Sequence, residues 1–159
     1  MRFPLISLLI AASSFADAEA IERYPVANSA YFDGTGVKSA ADGKLVAVEG
    51  KILRIASGPQ EKPMYQLSLT QSANRTVWVG NVMFDKETKL PIGTVVRVFG
   101  YLQRVKDDDT WTKAVSFDDH HILGFCFLNT TTQMAIYLPN GIKQCEAWQN
   151  GQTPEQIAR

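Results

Sequence analysis

Two glycines do most to limit what this chain can fold into. Gly50 and Gly100 interrupt long alternating apolar stretches, "KLVAVEGKILRI" (44–55) and "TVVRVFGYLQRV" (94–105). A glycine weakens a strand interior, and it is kept where the strand must bend or another backbone must come close. A strand that bends sharply can pair with different neighbours along its length, as a small closed barrel requires. Three more segments complete the set: "MYQLSLT" (64–70), "TVWVGNVMF" (76–84) and "KAVSF" (113–117), the last extending toward Ile122. Period-two alternation with β-branched and aromatic residues marks each as a strand. Five strands in this order, bent in the first and fourth, predict a mainly β chain folded as an OB-fold, a five-stranded Greek-key barrel. Val48, Ile52, Tyr65, Leu67, Leu69, Val77, Val79, Val96 and Val98 are the expected inward side chains.

The flanks read differently. Arg2, the apolar "PLISLLIAASSF" and small residues at Ala16, Ala18 and Ala20 have the pattern of a secretory signal. That run is too short to span a bilayer. The expected organisation is a signal peptide at 1–20, an arm at 21–43 with a short helix near Val37–Ala41, the barrel at 44–122, and an extension at 123–159. In the extension "MAIYLP" (134–139) reads as a strand. Asn140-Gly141 marks a turn, and Thr153-Pro154-Glu155 starts a helix. Cys126 and Cys145 are expected to form a disulfide in a periplasmic or secreted protein, with two buried thiols as the alternative. Asn74 and Asn129 head glycosylation sequons, which matter only in a eukaryotic host.

The 16 basic and 16 acidic residues balance. Cleavage after Ala20 removes Arg2, Asp17 and Glu19, leaving a single net positive charge. A chain that binds nucleic acid mainly through phosphates carries a larger basic excess, so nucleic acid is possible as a partner without being favoured. There is no polybasic segment for a membrane surface. No nucleophile elbow, zinc-protease helix or phosphate loop is present, and no cofactor is implied. Arg54, Arg75, Arg97 and Arg104 are scattered, and the linear pattern shows no acidic pair facing them, as a nuclease site would need.

The stretch 44–122 resembles the bacterial periplasmic OB-fold (BOF) family of small exported single-barrel proteins. The likeness is carried by "VAVEGKILRI", "YQLSL", "TVWV" and "GTVVRVFGYL" followed by "DDDTW". It implies the fold and the compartment. The chain departs from the family in its longer "ASGPQEKP" connection, in the turn before the third strand, and in running on to Arg159. The run Cys145, Trp148, Asn150, Thr153-Pro154, Ile157-Ala158 is similar to the C-terminus of cholera-toxin-type B subunits. That second likeness implies a sugar site beside Trp148.

OB-folds bind ligands on the face of the second and third strands. With Tyr65, Leu67 and Leu69 inward, Gln66, Ser68 and Trp78 face outward as the candidate site, rimmed by Arg54 and Arg104. Trp78 is read either as a stacking surface or as core covered by the arm or tail. As an open ring it would be lost to alanine at less cost in stability than Val98. Trp111 in "DDDTW" (107–111) could clamp a cation, or simply fold back over the barrel. "DDHH" (118–121) offers metal-ligand types, but strand alternation lets only Asp118 with His120, or Asp119 with His121, converge. A polar strand end is the competing reading. The expected function is that of an exported, non-enzymatic module binding an oligonucleotide, oligosaccharide or small charged molecule. The alternatives are a ring-forming glycan-binding subunit and an envelope structural or stress protein that binds another protein.

Overall fold

The computed structural model describes residues 22–27, 32–33, 36–37, 43–58, 61–71, 75–81, 89–104, 120–137 and 141–159. The expected signal peptide, Asn74, Trp111, Asp118, Asp119 and the segment 113–117 lie outside the described residues. In the arm, β1 (Phe32–Asp33) and β2 (Gly36–Val37) form a short antiparallel pair. Val37 is thus extended where a helix was expected, and 38–41 lie outside the described residues.

The barrel is built from β3 (Leu45–Ser57), β4 (Pro63–Leu69), β5 (Thr76–Asn81), β6 (Val95–Arg104) and β7 (His120–Asn129). Their order is β5-β4-β3-β6-β7, and parallel pairing of β5 with β7 closes the ring. This is the expected OB-fold. All nine expected inward residues lie in one buried cluster, joined by Val46, Leu102, Ile122 and Phe127. Tyr65 closes over this core, its hydroxyl accepting from the Leu90 N–H at 3.1 Å. Burial pushes the Tyr65 phenol above its ordinary pKa, and the Leu90 bond opposes the shift.

Gly50 and Gly100 both face the interior, where strands press together. A Cβ on Gly50 would meet the Ser68 carbonyl oxygen at 2.7 Å. One on Gly100 would collide with the Leu123 carbonyl oxygen and lie 2.8 Å from the Gly124 Cα. The β6–β7 register shifts between Phe99 and Gly100, so the glycine marks a bulge.

The last barrel strand corrects the sequence reading. It runs from His120 to Asn129 instead of ending at Ile122. The run "HHILGFCFLN" does not alternate because both of its faces are covered. Ile122 and Phe127 point into the barrel, while Phe125 and Cys126 join a second core outside it. That second core lies on the outer face of β3, β6 and β7, where Leu45, Ala47 and Phe99 meet Cys145 and Trp148. The latter two come from α1 (Ile142–Gln149), which the Cys126–Cys145 disulfide fastens to β7. β8 (Ala135–Tyr137) pairs with β7, and α2 (Pro154–Ile157) starts at Thr153 with the expected geometry. The Thr153 hydroxyl accepts from the Gln156 N–H, and the Gln156 side chain accepts from the Thr153 N–H at 2.7 Å.

Candidate functional site

Strand register brings three of the candidate residues into one row. Arg54 on β3 pairs with Gln66 on β4, and Gln66 pairs with Trp78 on β5. A register shift between Ile52 and Arg54 puts Arg54 on the outer face while Ile52 and Ile55 serve the core. The Arg54 guanidinium lies 5.8 Å from the centre of the Trp78 ring, within cation–π range. The next row is Lys51, Ser68 and Thr76. Gln66 Nε2 donates to Thr76 Oγ1 at 3.4 Å and ties the two rows together. Lys51 and Arg54 are exposed, and among the described residues neither has a carboxylate partner.

Trp78 faces outward as expected, yet it is only 3% exposed and packs with Met64 and Ala56. The ring is thus wall, and the accessible chemistry of this face is the two cations and the half-buried amide and hydroxyls. Arg104 ends β6 opposite His120, and its side chain lies outside the described residues. His120 and His121 open β7 and are both buried, at 7% and 1% exposure. Among the described residues no three His, Cys, Asp or Glu side chains gather to hold a metal ion.

The C-terminal extension leaves the Arg54–Trp78 row and packs on the opposite wall. Trp148 is fully buried there, stacked on Phe99 at 5.3 Å, and its indole N–H donates to the Pro25 carbonyl at 2.8 Å. A sugar could stack on it only after residues 22–25 had left. Those residues form a strap that a second clamp also holds. Arg97 Nε donates to Glu49 Oε2 at 2.7 Å, and Arg97 Nη1 reaches Glu22 Oε1 at 3.2 Å and the Tyr24 carbonyl at 2.8 Å. An acidic pair does therefore face one of the scattered arginines. The signal lay in the register: pairing Val48 with Val98 places Glu49 opposite Arg97.

Between the strap and the β7–β8 turn lies a cleft of about 320 Å³. Leu128 and the Arg97–Glu49 pair line it from the barrel side. Glu22, Arg23 and Tyr24 line it from the strap, and Thr130 and Gln133 from the turn. Burial pushes the Tyr24 phenol up, opposed by the Arg23 guanidinium. Tyr24 and Gln133 have left-handed backbones, φ 55° and 58°. Such strain costs about 1–2 kcal/mol per residue and persists only where surrounding contacts fix it. For Gln133 one such contact is its amide donating to the Thr130 carbonyl at 2.6 Å. Asn129 shapes the same turn by accepting from the Thr131 and Thr132 N–H groups.

No protein-family model matches the chain, and no curated protein matches it significantly.

Proposed function

We propose that the chain is an exported, non-enzymatic OB-fold binding module that takes an anion-bearing ligand on the outer face of β3, β4 and β5. The observation that carries this reading is Arg54, held over Trp78 on the same outer face as Lys51, with no carboxylate among the described residues neutralising either cation. Set 5.8 Å over the indole, the exposed guanidinium can still offer N–H donors to a phosphate, sulfate or carboxylate. Gln66, Ser68 and Thr76 offer neutral hydrogen bonds along the same face. Export to the periplasm or beyond is supported by the signal-like first twenty residues and by the disulfide, which persists in oxidising compartments. The resemblance to the BOF family points the same way.

The test is a fluorescence titration of the oxidised protein with a single-stranded oligonucleotide and with an acidic oligosaccharide, across salt concentrations. Two phosphate contacts on a single strand give a log–log salt slope of about −1.4. The Lys51→Ala/Arg54→Ala double variant should lose this binding while its melting temperature falls by no more than about 4 °C. Binding unchanged in the double variant, or no binding to either probe at low salt, overturns the proposal.

One observation favours a second reading, a protein partner. β8 pairs only with β7 among the described strands, and Met134 just before it and Tyr137 at its end are exposed. Such an edge can accept another chain's strand.

A further inference from the structure

We infer that the cleft between the N-terminal strap and the β7–β8 turn is a separate site for a small uncharged polyhydroxylic ligand, of the size and chemistry of a monosaccharide. Its volume, about 320 Å³, lies at the low end of the range for small-molecule sites. The charge around it is balanced, Arg97 and Arg23 against Glu49 and Glu22. An anion or a cation would gain from one pair, lose to the other, and give up its own hydration. A hydroxyl avoids this conflict because it both donates and accepts.

The free hydrogen-bonding groups match that chemistry. Arg97 uses Nε and Nη1 on Glu49, Glu22 and the strap carbonyls, and among the described residues nothing engages its two Nη2 donors. The Gln133 amide donates through Nε2 to Thr130, leaving its carbonyl oxygen as an acceptor at the rim. Adjacent hydroxyls on one ring can bridge such a donor and acceptor, above a floor to which the buried Leu128 contributes. A second observation points to the same place. Of the three described non-glycine residues with left-handed backbone, Tyr24 and Gln133 line this cleft, and strain of this kind gathers at ligand clamps.

The experiment is saturation-transfer NMR on the oxidised protein with methyl glycosides of glucose, galactose, mannose and N-acetylglucosamine. Glucuronate and glucosamine serve as charged counterparts. At least one neutral glycoside should give saturable transfer that salt leaves unchanged, and the charged counterparts should bind at least about tenfold more weakly, or 1.4 kcal/mol. Gln133→Gly relieves the backbone and removes the rim amide, so it should abolish transfer without lowering the melting temperature. Arg97→Gln should also abolish it, and if that variant loses its fold, Gln133→Gly decides. The Lys51→Ala/Arg54→Ala variant should bind the glycoside as before, which separates this site from the anion-binding face. No saturable transfer from any neutral glycoside, equal binding of the charged analogues, or full binding by Gln133→Gly overturns the inference.

Discussion

Replacing Trp78 with alanine asks whether the outer face of β4 and β5 is surface or wall. The ring is 3% exposed and packs against Met64, which is itself fully buried. A tryptophan buries roughly 150–250 Å². At about 25 cal/mol per Å² that amounts to about 4–6 kcal/mol, an upper bound because the unfolded chain already hides part of its surface. Met64 and the Arg54 side chain can relax over the hole, so the expected loss is about 3–4 kcal/mol. Val98→Ala removes two methyl groups from the barrel interior and should cost about 2–3 kcal/mol, transfer plus cavity. The order is therefore the reverse of that expected from an open ring. Urea unfolding of the oxidised protein, followed by far-UV circular dichroism, measures both losses. At an m-value of about 2 kcal/mol per molar urea, Trp78→Ala should lower the midpoint by close to 2 M. Arg54→Ala should cost no more than about 1 kcal/mol, since it gives up only an exposed cation–π contact. A Trp78→Ala loss below about 1 kcal/mol, or one smaller than that of Val98→Ala, would refute the assignment of this ring to the wall.

Two further perturbations address the frame. Reducing the Cys126–Cys145 bridge opens a loop of sequence separation 19, which corresponds to about 3 kcal/mol of stability and a fall of roughly 10 °C in Tm. Calorimetry with and without reductant checks this, and an unchanged melt with two titratable thiols would rule the bridge out. Gly100→Ala, which in an ordinary strand is mildly stabilising, should here lose about 2 kcal/mol or more, because the new Cβ meets the backbone of Leu123 and Gly124 with nothing flexible to give way. A raised urea midpoint for this variant would show that the two strands can move apart at no cost.

The barrel was legible because its inner and outer faces differ along β3, β4, β5 and β6. Alternation then names the inward residues, and two glycines name the bends. β7 escaped because alternation fails where both faces are buried, as they are along "HHILGFCFLN". α1 was harder still. Gly141 caps it without a side-chain bond, and its first turn carries no acidic residue. What holds it is Cys145 bonded to Cys126 and Trp148 set against Phe99 and Tyr24, partners that lie far away in the sequence. In the candidate site, facing direction was readable and exposure was not. Register put Arg54, Gln66 and Trp78 in one row, but only packing decides that the ring is covered. The cleft was invisible for a similar reason, since it joins residues 22–24 to a turn near residue 130 and exists only once Arg97 and Trp148 have fixed the strap.

The burial of Trp78 also bears on which ligand the β3–β4–β5 face suits. Single-stranded nucleic acid binds OB-folds by combining phosphate contacts with stacking of about 1–3 kcal/mol per base. Here the indole lies beneath Arg54 and against Met64, so a base could stack on it only by displacing the guanidinium that would hold its phosphate. The two contributions compete at this position, and an oligonucleotide is left mainly with charge. The near-neutral composition makes that term small beyond Lys51 and Arg54. An acidic oligosaccharide does not depend on the stacking term to the same degree, because Gln66, Ser68 and Thr76 can meet its hydroxyls while the two cations meet its acid groups. At equal charge and equal salt, the acidic oligosaccharide should therefore bind more tightly than the oligonucleotide. A nucleic acid that won that comparison would mean that Arg54 swings away to open the ring, and Arg54→Ala would then strengthen its binding.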